Sequence, residues 1–215
     1  MWPDIRKASL LEDIPSVMEK LPRTAERLKA SHFFAAHTPS EWRMAQVDSD
    51  YQLQVKSWLN WASIVALPNP SMDDPLDRDF ESIGLAEEWR KSEERRKLYE
   101  DPLIAVLLEL RNYEVHFELR KGDVRNFRPL YGMEARPNEE PKEIDLGERF
   151  FIASIDYKSL SQTINIKSGK SKVTSEMIEW FNRQTSTWPA AYIIGQARER
   201  YTVFIAEFLK NNGIE

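Results

Sequence analysis

One segment restricts the fold more than any other: residues 101–110, which read Asp-Pro-Leu-Ile-Ala-Val-Leu-Leu-Glu-Leu. Its first two residues form a helix start signal, because an Asp side chain can cap free amide groups and Pro fits the first helical position. The following residues are almost wholly apolar, and a helix that is apolar on all sides is buried on most of them. The sequence therefore predicts a central, buried helix over 102–120.

The other segments predict a mainly α fold, a helical bundle built round this helix in a single domain over 1–215. A capping box at Thr38-Pro39-Ser40-Glu41 begins a long helix. The last helix is predicted to stop at Asn211-Asn212-Gly213. The further predicted helices cover one or two short stretches within 10–30, then 39–67, 85–99, 174–184 and 189–210.

Two segments predict exceptions to the helical pattern. Residues 149–157 have the composition of a strand, and 162–167 could pair with it, which predicts a small β-hairpin near 149–167. With the Pro- and Glu-rich residues 134–148, a mobile loop, this hairpin would form an insertion over 134–172. Residues 68–79 are rich in Pro and Asp and predict a solvated acidic loop.

Composition excludes several classes of function. The chain has no Cys, which excludes disulfides, thiolate metal sites and a thiol nucleophile. Its net charge of −5 argues against coating nucleic acid by bulk electrostatics. The first residues lack the apolar stretch of a signal peptide, and no apolar segment is long enough to span a membrane. We expect a cytoplasmic protein without membrane partners.

Three polar residues lie on the continuation of the buried helix: Arg111, Asn112 and His116. The segment Arg-Asn-Tyr-Glu-Val-His resembles the motif of the HEPN family, an Arg followed after four to six residues by His, with Asn, Asp or His often directly after the Arg. Leu110 and Phe117 fit the apolar flanks usual there. The resemblance covers this helix and its surroundings. It implies a helical domain and a metal-independent endoribonuclease, often from toxin or defence systems.

These residue types suit RNA cleavage without a metal or cofactor. A histidine ordinarily titrates near neutral pH, so His116 could act as general acid/base, and Arg111 could hold the phosphate. Asn112 lies one turn from His116 and could orient the imidazole, while Tyr113 could position the substrate. Arg111 lies about 140° round the helix from His116, and a site shared between two chains closes that gap. The resemblance likewise implies a homodimer with facing motifs.

A basic segment follows the motif. Arg120, Lys121, Arg125 and Arg128 interleave with Phe127 and Tyr131. Beside a catalytic His, this composition would suit an RNA backbone and a stacked base, and an ordinary basic turn explains it equally well.

A structural interpretation of the motif stays open as well. His116 could be a core histidine, Arg111 could pair with Glu109 or Glu114, and Asn112 could cap a loop. The alternative to a ribonuclease is therefore a non-enzymatic helical protein that binds a partner, RNA or a nucleotide. The expected partners are RNA, a second copy of the chain, and an antitoxin or other protein.

Overall fold

The fold is mainly α, as predicted, with 69% of the described residues in helices. The computed structural model describes residues 19–26, 75–116, 123–131, 142–143, 145–162, 164–169 and 171–214. The predicted helix over 39–67, the start of the acidic loop at 68–74, and residues 134–141 lie outside these ranges.

The described elements follow in this order. The helices are α1 (22–26), α2 (Pro75–Ser82), α3 (Ala86–Lys91), α4 (Glu93–Glu100), α5 (Pro102–His116), α6 (Tyr157–Leu160), α7 (Ile164–Lys167), α8 (Ser175–Thr187) and α9 (Ala190–Asn211). The strands are β1 (Asp123–Asn126), β2 (Leu130–Tyr131), β3 (Lys142–Glu143) and β4 (Glu148–Phe151).

Helix α5 is central, as its apolar sequence predicts. It packs against α4, α6 and α8, and α9 packs against α4, α8 and β4. An aromatic cluster joins the first helices to the last: Phe80, Trp89 and Phe208 have ring centroids 4.8 to 5.0 Å apart. The buried faces of α2, α3, α5, α8 and α9 thus form one continuous core.

The last two helices match their predicted bounds closely. Helix α8 begins after Thr174, whose Oγ1 accepts a hydrogen bond from the Met177 amide at 3.3 Å. Helix α9 is followed by Gly213, which has a left-handed backbone with φ 75°. The Ile214 amide donates to the Leu209 carbonyl at 3.0 Å. This is the glycine-containing C-terminal cap that the sequence predicts.

The prediction of one helix over 85–99 is wrong, because Ser92 divides it into α3 and α4. Ser92 has an extended backbone, its Oγ accepts from the Arg95 amide at 3.1 Å, and its hydroxyl donates to the Trp89 carbonyl at 2.9 Å. A serine that bonds backbone groups on both sides ends one helix and caps the next.

The acidic loop predicted over 68–79 is wrong from Pro75 onward, where α2 begins. Leu76 and Phe80 are fully buried, and the Asp79 carboxylate is buried too. Its Oδ2 accepts a hydrogen bond from the Thr24 amide at 2.7 Å. The acid is tolerated there because it satisfies a buried backbone donor at the start of α1.

The hairpin predicted near 149–167 is also wrong. Strand β4 pairs antiparallel with β1, and a second two-stranded sheet joins β2 to β3. Residues 164–167 are helical. After β4 the chain turns at Asp156, whose Oδ1 accepts from the Ser159 amide at 2.7 Å and starts α6. That helix buries Leu160, so packing decides against a second strand there.

Candidate functional site

The candidate site is at the end of the most deeply buried helix of the described chain. Residues 103–107 are at most 6% exposed, and Leu110 is buried as well. The structure describes residues 111–116, which contain the predicted catalytic residues Arg111, Asn112 and His116 and the substrate-binding Tyr113, as helical backbone only. The motif therefore continues, without a break, a helix that is buried at every residue from 102 to 110 except Leu108.

The start of α5 is held by a single carboxylate. Asp101 Oδ1 accepts from the amides of Leu103 at 2.9 Å and Ile104 at 3.2 Å, which confirms the predicted cap. Arg200 Nη1 on α9 contacts both Asp101 oxygens, at 2.9 and 2.8 Å. Sequence reasoning missed Arg200, because its partner lies 99 residues away and leaves no local signal.

A buried acid, Glu109, lies two residues before the motif. Glu109 is only 5% exposed and is engaged within the protein. A buried carboxylate needs such a partner. Residues two apart on a helix do not face each other, so the helical backbone disfavours the Glu109–Arg111 pairing that the structural interpretation includes.

The backbone geometry of α5 fixes how the motif residues are arranged round the helix axis. At about 100° per residue, Asn112 and His116 are about 40° apart and share a face. Arg111 and His116 are about 140° apart. An imidazole and a guanidinium from one helix therefore start on different faces, and only the length of the Arg side chain reduces that separation.

Of the predicted substrate-binding residues, Arg125 lies on β1 and is exposed. Its Nη2 donates to the Ser186 carbonyl at 2.5 Å, and its guanidinium lies 3.9 Å from the centre of the Phe151 ring. Ser186 is in the last turn of α8, where carbonyl groups lack helical partners and a positive charge is favourable. Arg125 thus ties β1 to the end of α8.

Arg128 follows β1 and forms an ion pair with Asp145 at 3.2 Å. Both side chains are about half exposed, and surface pairs of this kind contribute little to stability. The structure brings Arg125 and Arg128 to the same small sheet region. The other two predicted substrate-binding residues, Arg120 and Lys121, lie outside the described residues.

An aromatic group borders this sheet. Phe127 lies 6.1 Å from Phe151, 6.1 Å from Trp188 and 5.7 Å from Tyr192, centre to centre. Trp188 and Tyr192 stack on each other at 5.8 Å and are half-buried. Of the aromatic residues in this group, the sequence indicates only Phe127 as part of the candidate site. Trp188 and Tyr192 come from the junction of α8 and α9, about 60 residues later.

Two further properties of the described residues bear on function. Within the described ranges, no group of three or more His, Asp or Glu side chains is placed to hold a metal ion. None of the described helices combines the length and apolar character needed to cross a membrane.

A second charged contact, between Lys172 and Glu100, lies close to the start of α5. Lys172 donates a hydrogen bond to Glu100, the residue before Asp101, and this contact holds the pKa of the Glu100 carboxyl below its usual range. The pair links the end of α4 to the segment before α8.

The fold and these contacts define a mainly helical domain with a polar motif on the last turns of its central helix. Comparison of the chain with known protein families, with characterised proteins and with solved structures finds no match.

Proposed function

We propose that the chain is a HEPN-like, metal-independent endoribonuclease that cuts single-stranded RNA. The observation that supports this most is the motif at 111–116, which continues a helix whose preceding turns are buried. Catalytic groups need a rigid base, and the core supplies one for the backbone of this helix. In this proposal His116 is the general acid/base, Arg111 binds the phosphate, Asn112 orients the imidazole and Tyr113 positions the substrate.

The proposed reaction uses the nucleophile that RNA carries. The ribose 2′-oxygen attacks the neighbouring phosphorus, and the bond from phosphorus to the 5′-oxygen breaks. The 2′-hydroxyl loses its proton to a base, and the leaving 5′-oxygen gains one from an acid, roles that His116 and its counterpart in a second chain can fill. The guanidinium of Arg111 stabilises the charge that develops on the phosphoryl oxygens. The products end in a 2′,3′-cyclic phosphate and a 5′-hydroxyl.

We infer that the active form is a homodimer. Arg111 and His116 are about 140° apart on the helix, so a second copy of the motif completes the site more readily than one chain does. Because residues 103–107 and 110 are buried within their own chain and Leu108 is partly buried, a second chain can contact α5 most readily beyond residue 110. The proposed interface therefore includes the last turns of α5.

The test is cleavage of a labelled single-stranded RNA by purified protein. We expect His116→Ala and Arg111→Ala each to lower the rate by about 10²–10⁴-fold, as the loss of a positioned catalytic group does. His32→Ala removes a histidine outside the motif and is the matched control, with a rate near wild type. Activity should persist in EDTA, and DNA should resist because it lacks the 2′-hydroxyl.

The proposal fails if wild-type protein cuts no RNA, or if His116→Ala cuts as fast as wild type. Sedimentation that shows a monomer at micromolar concentration would contradict the shared site. In the absence of cleavage, a non-enzymatic helical binding protein is the function that remains.

A further inference from the structure

Two arginines face each other across the β1–β4 ladder. Arg125 and Arg149 are Cα partners in the antiparallel register, so their side chains lie on the same face of the sheet. Cβ atoms of directly opposed residues are about 4.5–5.5 Å apart, and like charges at such positions repel each other. A fold would gain by placing an uncharged residue at one of these positions.

The surroundings of this pair explain how the protein tolerates it. Arg125 donates to the carbonyl of Ser186 at the partly negative end of α8 and stacks on Phe151. Arg149 is half-buried and is also engaged within the protein. A guanidinium has five N–H donors and can serve several acceptors at once. The stacked rings of Trp188 and Tyr192 adjoin Phe127 on the same border of the sheet.

We propose that Arg125 and Arg149 bind a phosphate of single-stranded RNA and that Trp188, stacked on Tyr192, supports an unpaired base beside it. A phosphate that accepts from both guanidiniums would form charge-assisted hydrogen bonds with each of them. Cationic groups alternating with aromatic rings are the usual means of holding a single strand. The inference rests on the proposed function, which supplies RNA as the ligand class.

The position of this surface relative to the motif suits a substrate-binding role. Only residues 117–122 separate the last turn of α5 from β1, and seven residue steps span at most about 25 Å. A strand of a few nucleotides could therefore contact both the proposed catalytic residues and the arginine pair. Arg149, Trp188 and Tyr192 add three residues to the substrate-binding set that the sequence indicates.

The experiment measures binding separately from cleavage. Fluorescence anisotropy follows a labelled 12-nucleotide oligouridylate on the His116→Ala protein, which binds without cutting. One phosphate contact to a single strand contributes a slope of about −0.7 in log K against log salt, which is about fivefold in affinity at 0.1 M salt. We expect Arg149→Gln to weaken binding by about fivefold and to reduce the slope by about 0.7.

The aromatic contact has its own variants. Trp188→Leu keeps an apolar side chain but removes the stacking surface, and we expect it to weaken binding by about 5- to 150-fold. Trp188→Phe keeps an aromatic ring and should restore most of the affinity. This rescue separates stacking from a general loss of packing at the α8–α9 junction.

The control variant for charge is Arg96→Gln on α4. Arg96 is exposed and lies between Glu93 and Glu100, so its loss makes the same charge change away from the arginine pair. It should leave the RNA affinity and the salt slope near those of the His116→Ala protein without a further substitution. Equal weakening by Arg96→Gln and Arg149→Gln would overturn the proposal, because the effect would then follow net charge alone.

The remaining outcomes distinguish this proposal from the nuclease proposal. Cleavage by wild type together with unchanged RNA binding by Arg149→Gln overturns the binding surface and leaves the nuclease standing. Binding that depends on Arg149 without any cleavage by wild type supports the surface and overturns the nuclease. If neither wild type nor the His116→Ala protein binds RNA, the binding surface and the nuclease are both overturned. If an oligoglutamate peptide binds as tightly as RNA, RNA is overturned as the ligand.

Discussion

Asp101 is the residue whose replacement tests the structure most directly. Its Oδ1 caps α5 through the amides of Leu103 and Ile104, and such a cap contributes about 1 kcal/mol, with a range of about 0.5–2. The ion pair with Arg200 is mostly removed from water, since the two side chains are 15% and 19% exposed. Hydrogen bonds to charged groups contribute about 1.5–3 kcal/mol each.

The expected cost of Asp101→Ala follows from these two terms. Both carboxylate oxygens contact the same nitrogen of Arg200, so the pair lacks the two parallel bonds of the strongest arginine contacts. We therefore count the ion pair as one charged hydrogen bond, near the lower end of the range of about 1.5–3 kcal/mol. The sum is about 2.5–4 kcal/mol of unfolding free energy, or about 5–15 °C in Tm for a chain of this size.

A double-mutant cycle separates the cap from the ion pair. Asp101→Asn keeps a good capping residue and loses only the charge, so it should cost less than Asp101→Ala. Arg200→Met removes the cation alone. With Asp101→Asn and Arg200→Met combined, we expect a coupling energy of about 1–2 kcal/mol between the two sites.

The assay is thermal and urea unfolding followed by circular dichroism and by tryptophan fluorescence, with coincident transitions as the test of two-state behaviour. Glu179→Ala on the exposed face of α8 is a control for the loss of a surface carboxylate. An Asp101→Ala protein within about 0.5 kcal/mol of wild type would refute the reasoning, because that is the range of ordinary surface substitutions. A coupling energy of zero would refute the Arg200 contact.

Two further predictions concern charge. Arg128→Gln breaks only the half-exposed ion pair with Asp145, so its unfolding free energy should lie within about 1 kcal/mol of that of wild type; a larger loss in urea unfolding would contradict this. The Lys172 contact holds the pKa of Glu100 below its usual value near 4.5, so the stabilisation is present above that pH and is lost as the pH falls through the lower, folded-state pKa. The Tm of Glu100→Gln should lie below that of wild type at pH 7 and converge with it as the pH falls below about 4.5, and a constant difference would contradict the coupling.

Local signals in the sequence predicted the helices well where capping and burial agree. The Asp-Pro start of α5, its apolar face and the glycine after α9 each act within a few residues, so sequence alone contains them. The break at Ser92 was missed because a charged, helix-favouring segment has high propensity on both sides of it. A serine in such a segment gives no sign of which backbone groups it will bond.

The strands could not be paired from sequence because their partners are decided by tertiary packing. Strand β1 reads Asp-Val-Arg-Asn, and Asp and Asn are uncommon in strands. It forms because β4 lies beside it and because Arg125 bonds the end of α8, 61 residues further along. The predicted partner at 162–167 has the better strand composition, yet its neighbourhood buries Leu160 from a helical turn instead.

Some residues of the candidate site could be predicted from local sequence, and others only from long-range contacts. The motif at 111–116 is a local pattern, so the sequence contains all of it, and Arg125 and Arg128 follow from the basic segment. Arg149 stands in the segment first interpreted as one strand of a hairpin, and Trp188 stands between two predicted helices. Only the β1–β4 register brings Arg149 opposite Arg125, and only the α8–α9 junction brings Trp188 beside Phe127.

Burial of α5 constrains the proposed mechanism more than the motif does. A helix enclosed by its own chain from residue 103 to 107 has no lateral surface there for RNA or for a second chain. In the proposed mechanism, substrate and partner approach the last turns, where Asn112 and His116 share one face and Arg111 lies on another. A dimer that joins these turns would place the Arg111 of one chain near the His116 of the other.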